Sequence, residues 1–153
     1  MFTIKTDDLT HPAVQALVMY HISGMLEQSP PESSHALDVH NLRNPSVIFW
    51  SAWEGKQLAG IGALKMLDKE HGELKSMRTA PDFLRRGVAN QLLHHILLFA
   101  RKRDLKRLSL ETGTQTGFAA CHQLYINHGF TDCAPFADYQ PDPNSRFMTL
   151  VLC

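Results

Sequence analysis

The chain is poor in cysteine and uses what it has without pattern. Cys121, Cys133 and Cys153 make an odd count over 153 residues, with no CxxC pair. A disulfide scaffold and a cysteine-built zinc site are excluded, and reduced thiols in a cytoplasmic protein are expected. Charge of one sign is also missing, because 15 basic residues stand against 15 acidic ones. Sequence-independent binding to nucleic acid or to an anionic membrane draws on a basic excess, so neither is an expected partner. No apolar run approaches the roughly 20 residues of a membrane-spanning helix. The opening "MFTIKTDDLTHP" has no basic stretch followed by an apolar one, so no secretory signal is expected. Nine histidines include His35 and His40, His94 and His95, and His122 and His128, none at a zinc-ligand spacing, and no metal is expected. The GxxxxGK[ST] loop and the GxGxxG fingerprint are both absent, which removes the commonest nucleotide-binding motifs.

What remains suits a small-molecule partner met at a local site. A hydrophobic content of 44% suits one globular domain over residues 1–153. "MFTIKT" alternates as a strand does. Residues 12–27 repeat apolar side chains at helical spacing (Val14, Leu17, Val18, Ile22, Met25 and Leu26) after Pro12, which suits a first turn. "QSPPESSHALD" breaks that helix, and Ser33 or Ser34 could cap a short helix after it. "SVIFWSAWE", "LAGIGALKML" and "ELKSMRTA" read as a three-strand meander. Val88, Leu92, Leu93, Ile96, Leu97 and Ala100 then make one helical face, followed by the strand "KRLSLET". A crossover helix between two strands implies that they run parallel. A helix from 117 to about 128, closed by Gly129, precedes the final strands "FTDCAP" and "RFMTLVL". The order describes a mixed α/β domain.

The chemistry concentrates at the one parallel crossover, in "FLRRGVANQLL", residues 83–93. A strand ends there and a helix begins, where unpaired backbone N–H groups and the helix dipole together favour an anion. Gly87 and Ala89 leave room for a pyrophosphate, Arg85 and Arg86 add charge, and Asn90 adds a donor. A basic helix start without any ligand is the alternative, because short glycine motifs match by chance.

"MRTAPDFLRRGVANQLL" resembles the pyrophosphate loop of the GNAT family of N-acetyltransferases, whose pattern is (Q/R)xxGx(G/A) after a strand. "LYINHGF" resembles that family's later LYxxxGF. The segments "SPPESSHALD", "GELKSMR", "RLSLETG" and "PFADYQPDPNSRFM" are similar to a narrower group of bacterial acetyltransferases of unassigned substrate. The resemblance implies a mostly antiparallel sheet of about six or seven strands with one splayed parallel pair, flanked by about four helices. It implies transfer of an acetyl group from acetyl-CoA to a primary amine of a small molecule, by direct attack. A protein or peptide acceptor, or acyl-CoA binding without turnover, are the alternatives. A homodimer is compatible with the apolar last strand.

The resemblance assigns the cofactor-side roles and the general acid, and side-chain chemistry alone suggests the bases and the acceptor side. The backbone of Met77, Arg78 and Thr79 would pair with the pantetheine arm, with an N–H, that of Met77, facing the thioester oxygen. Leu84, Arg85, Arg86, Gly87, Val88, Ala89 and Asn90 would hold the phosphates. Leu84 departs from the family's Gln or Arg, and Phe118 stands where Asn is frequent, so backbone N–H groups and packing carry more there. Tyr125 is the candidate general acid. Glu73 and Glu111, at neighbouring strand ends, are candidate bases, each equally readable as an edge residue or an ion-pair partner of Lys75 or Arg78. Glu32, Ser33 and His35, with Asp38, offer acceptors to a cationic amine. Asp138, Tyr139 and Asp142 form a second candidate wall.

Overall fold

A computed structural model describes residues 2–28, 30 and 35–152. The elements follow the expected order: β1 (Thr3–Thr6), α1 (Pro12–Gln28), a single helical turn α2 (Val39–Leu42), β2 (Val47–Glu54), β3 (Gln57–Met66), β4 (His71–Thr79), α3 (Val88–Lys102), β5 (Arg107–Gly113), α4 (Ala119–Asn127), β6 (Thr131–Asp132) and β7 (Ser145–Val151). They build one seven-stranded sheet of order β1-β2-β3-β4-β5-β7-β6. Every neighbouring pair is antiparallel except β4 and β5, which are parallel because α3 carries the chain back across the sheet. Mixed α/β architecture with one parallel pair is as the sequence implies.

Two apolar clusters cover the two faces. Strand alternation sends Trp50, Leu64, Leu74 and Leu110 to one face, where Leu92, Leu93, Ile96 and Leu97 of α3 close over them. Phe49 and Ala63, their immediate neighbours, go to the other face with Val14, Leu17 and Val18 of α1. Ile96 is fully buried, and truncating it to Ala would cost about 2–5 kcal/mol. The short α2 is capped by Asp38, whose Oδ1 accepts from Asn41 N at 2.8 Å. Ser33 and Ser34, the expected caps, lie outside the described residues. The predicted strand "FTDCAP" is shorter than read, with ladder pairs at Thr131 and Asp132 and one further backbone bond, from Cys133 N to the Phe147 carbonyl at 2.9 Å. Pro135 has no N–H with which to extend the ladder.

Two irregularities position the site. The parallel ladder of β4 and β5 ends at Leu74 opposite Leu110, although both strands continue. On the other edge of β4, Ile61 faces Arg78 and Ala63 faces Lys75. Two steps on β3 therefore match three on β4, which is a β-bulge at Ser76 and Met77. Ser76 takes the positive φ of +56° that the bulge needs. Gly62 sits opposite, and a Cβ there would come within 2.7 Å of the Met77 sulfur.

Candidate active site

Beyond Leu74 and Leu110 the two strands part and a cleft of about 560 Å³ opens between them. One wall is β4 from Lys75 to Thr79, and the other is Glu111 to Gly113 with Phe118, Cys121 and Tyr125. The loop into α3 forms one end, with Leu84, Arg85, Gly87, Val88, Ala89 and Asn90 on the lining. His21, Met25, Gln28 and His35 cover it from the α1 side.

The loop is built for close approach to backbone. Pro81–Phe83 makes one tight turn, Arg85 adopts φ +63°, and Gly87 starts α3 at φ +83°. No side chain caps α3. The N–H groups of its first turn are thus free of an intrahelical partner and face an open end of the cleft. A Cβ on Gly87 would meet nothing within 4 Å, so the approach to its backbone is open. Arg86 departs from its expected role, because it does not line the cleft. Its Nη2 pairs with Glu54 Oε2 at 2.5 Å, and the guanidinium lies over the Phe83 ring at 4.9 Å. Glu54, at the end of β2, draws it away. Asn90 lines the cleft, but its Oδ1 accepts from His128 Nε2 at 2.7 Å.

On the β4 wall the bulge has a directional effect. Side chains three apart on an unbroken strand fall on opposite faces; the extra residue puts Lys75 and Arg78 on the same one. Arg78 Nε donates to His21 Nδ1 at 2.9 Å, and its guanidinium lies 5.6 Å from the Tyr20 ring centre. His21 is buried, and burial together with the charges of Arg78 and Lys75 pulls its pKa down to about 3. It is a neutral acceptor at physiological pH. Met77, in contrast, points to the α3 face and packs with that core.

Across the cleft, Tyr125 is buried with its ring edge-on to Phe130 at 5.7 Å. Burial pushes its phenol pKa far up, with Cys121 adding and Arg78 opposing. The phenol therefore holds its proton throughout the physiological range. Phe118 lies so close over Gly113 that a Cβ there would collide with the ring. His122 Nε2 is 2.8 Å from the Gly113 carbonyl oxygen, to which it donates.

The two candidate bases differ. Glu111, the first β5 residue past the last ladder pair, lines the cleft and accepts from Ser145 Oγ at 2.8 Å. Burial raises its pKa, while Ser145, His35 and Lys75 counteract. Glu73 is withdrawn from the lining. Its Oε2 accepts from Tyr139 Oη at 2.5 Å and from Lys75 Nζ at 3.2 Å, and Lys75 also donates to Tyr139 Oη at 3.0 Å. Burial and Glu73 push the Tyr139 phenol pKa up. His35 meets the Tyr139 ring edge-on at 4.9 Å.

A splayed parallel pair with an uncapped helix start at its mouth is the arrangement that the two motifs imply, and similarity to known proteins agrees. The profile of the acetyltransferase (GNAT) family matches residues 15–130. The chain belongs to the GNAT family. It is 77% identical over 153 residues to the uncharacterized N-acetyltransferase YedL of Escherichia coli (strain K12), covering 100% of this chain and 96% of that protein. Among solved structures, a Klebsiella pneumoniae protein assigned to the acyl-CoA N-acyltransferases superposes with a TM-score of 0.80 at 28% identity, covering 100% and 99% of the two chains. A GNAT acetyltransferase from Elizabethkingia anophelis, solved with acetyl-CoA bound, shares the fold at a TM-score of 0.70 and 20% identity, covering 99% and 98%.

Of the site residues expected from the sequence, the fold gathers Met77, Arg78, Thr79, Leu84, Arg85, Gly87, Val88, Ala89, Asn90, Phe118, Tyr125, Glu111 and His35 around one cleft. Arg86 and Glu73 stand outside its lining. Glu32 and Ser33 lie outside the described residues. Sequence reasoning passes over His21, Cys121 and the link of Tyr139 to Glu73. A histidine within an apolar helical stripe is the one available signal for the first. Among the described residues, no group of three or more His, Cys, Asp or Glu is arranged to hold a metal ion, and no helix is long and apolar enough to cross a membrane.

Proposed function

We propose that the chain transfers the acetyl group of acetyl-CoA to the primary amine of a small molecule by direct attack, with Tyr125 as general acid and Glu111 as base. The observation that carries this is the splay past Leu74 and Leu110. It brings an uncapped helix start, a bulged strand, a protonated phenol and a carboxylate to one cleft.

The residues present fit acetyl-CoA. The N–H groups of Val88, Ala89 and Asn90 suit the pyrophosphate, with Arg85 beside them and Gly87 leaving the approach open. The exposed edge of β4 past the splay suits the amide-bearing pantetheine arm, and the Met77 N–H, at the bulge, is the donor proposed for the carbonyl oxygen that gains charge during attack. Phe118 supplies packing where a polar contact is frequent in the family. In the reaction the N–C bond forms and the C–S bond breaks. The acceptor's ammonium first loses one proton to Glu111, directly or through one water. After attack the nitrogen, now acidic, sheds a second, and the departing sulfur takes the Tyr125 proton. That second proton, relayed through solvent, restores the phenol, so that one proton is released overall from Glu111. The products are an N-acetyl amine and the CoA thiol. Glu111 is favoured over Glu73 because Glu73 already serves Lys75 and Tyr139.

A cytoplasmic location accords with the reduced-thiol reading of the sequence. The direct test is thiol release from acetyl-CoA across a panel of small amines, with mass spectrometry of the products. An N-acetylated amine formed in step with thiol supports the reading. Label found only on peptides or proteins overturns the small-molecule part, and tight acetyl-CoA binding with no transfer overturns the enzymatic part.

A further inference from the structure

Charge in the cleft is unevenly answered. Of the two β4 cations that face α1, Lys75 is paired with Glu73 at 3.2 Å. Arg78 has no such partner, and among the described residues no carboxylate lies within ion-pair distance of it. It is nonetheless held in one orientation. His21 accepts from its Nε, Tyr20 lies against its face, and Gly24 leaves a gap on α1 in which a Cβ would come within 3.1 Å of Nη2. One turn of α1 thus fixes the guanidinium without neutralising it. A guanidinium so held presents its remaining N–H donors in the planar fork that matches a carboxylate.

A second observation lies two residues earlier on the same strand. Ser76 is 8% exposed and lines the same cleft, and its Oγ is the buried side-chain oxygen without any hydrogen-bond partner among the described residues. Buried hydroxyls are nearly always satisfied, so an orphan one facing a cleft marks a place for a ligand atom. Glu111 stands on the opposite strand of the splay. Among the described residues, the cleft therefore carries a cation without a carboxylate partner and a spare hydroxyl on β4, and an anion on β5.

We infer that the acetyl acceptor is an amino acid, or another amine that bears a carboxylate, with Arg78 taking the carboxylate, Ser76 lending a donor and the amine facing Glu111. This rests on the small-molecule reading above. It makes Arg78 a specificity-determining residue on the acceptor side, in addition to its backbone's place beside the pantetheine arm.

The test uses the full chain with saturating acetyl-CoA, and as acceptors the common amino acids and their α-amides. Wild type prefers acid over amide in kcat/KM by about tenfold or more, carried by the acceptor KM, since a polar site discriminates strongly against an analogue lacking its partner. Arg78→Gln brings that ratio close to one, Arg78→Lys restores part of it, and Ser76→Ala lowers it several-fold. Ser76→Ala removes only a hydroxyl and keeps the test open should Arg78→Gln fail to fold. Equal use of acid and amide by wild type overturns the inference and leaves the small-amine reading standing. So does an Arg78→Gln variant that slows both alike. A preference for succinyl-CoA over acetyl-CoA that Arg78→Gln removes would overturn it too, by placing the carboxylate on the acyl donor. Transfer to peptides with none to acid or amide overturns the inference and the small-amine reading together.

Discussion

Leu74 and Leu110 are the last facing residues of the parallel β4–β5 ladder, and Lys75 and Glu111 are the first on each strand to stand apart. Both leucines are buried in the core beneath α3, so the point of divergence is clamped from below. Past it, each strand is free of the ladder and faces the cleft. One pair of core side chains thereby marks where β4 and β5 part, each still paired to its outer neighbour, and where the cleft begins.

Gly87→Val should weaken acetyl-CoA binding more than Arg85→Ala. The space in front of Gly87 is open, so the penalty is not a clash. It is the φ of +83°, which costs a β-branched residue about 1–3 kcal/mol and would pull the α3 start out of shape. Arg85 is exposed, and its charge is screened by solvent. Calorimetric affinities of the two variants decide the order. Wild-type affinity in Gly87→Val would count against a backbone cradle.

Tyr125→Phe removes one hydroxyl and keeps the ring against Phe130. A kcat lower by about 10²-fold with acetyl-CoA affinity retained is expected, in the range for loss of a general acid. Rapid-quench measurement of N-acetyl product is the check. An unchanged kcat would remove Tyr125 from the chemistry.

Glu111 gives a signed pH dependence. Its pKa lies above the ordinary 4.5 because burial disfavours the carboxylate. As a base it must be ionised, so kcat/KM falls as pH drops through a midpoint above 4.5. Glu111→Gln should lose that acidic limb and about 10²-fold in rate. Stability runs the other way. The neutral acid is favoured in the folded state, so its contribution is lost as pH rises from 4.5 through the raised value. Glu111→Gln should therefore melt higher than wild type above that window.

His21 makes folding acid-sensitive. Its pKa falls from 6.5 to about 3 on burial beside Arg78, so the unfolded chain binds the proton more readily between those values. Stability contributed by neutral His21 is present above pH 6.5 and declines as pH falls from there toward about 3. His21→Gln keeps an acceptor for Arg78 and cannot titrate. Its urea-unfolding free energy should fall less steeply than that of wild type between about pH 7 and pH 5, and equal slopes would contradict a neutral His21.

The parts of the site that are legible in the sequence are those whose chemistry is local. A glycine two residues after Arg85 at a strand-to-helix junction announces backbone approach, and Tyr125 stands one turn before the helix-closing Gly129. Residues whose role is set by a distant partner are not legible. Arg86 reads as a phosphate ligand until Glu54, 32 positions earlier, is seen to hold it. Glu73 reads as a base until Tyr139, 66 positions later, occupies it. The bulge at Ser76 leaves no compositional mark, because "ELKSMRT" alternates well enough for a regular strand. Its consequence, Lys75 and Arg78 on one face, shows only in the register. His21 is hidden by the apolar stripe around it.

Whether the splay past Leu74 and Leu110 holds the reacting thioester between Tyr125 and the β4 bulge is decided by a crystal structure with a non-hydrolysable acetyl-CoA analogue. The predicted result has the pyrophosphate on the N–H groups of Val88 to Asn90, the sulfur beside Tyr125 Oη and the acetyl oxygen toward the Met77 N–H. An analogue bound with its acetyl group away from the splay, or with Tyr125 out of reach of the sulfur, would contradict it.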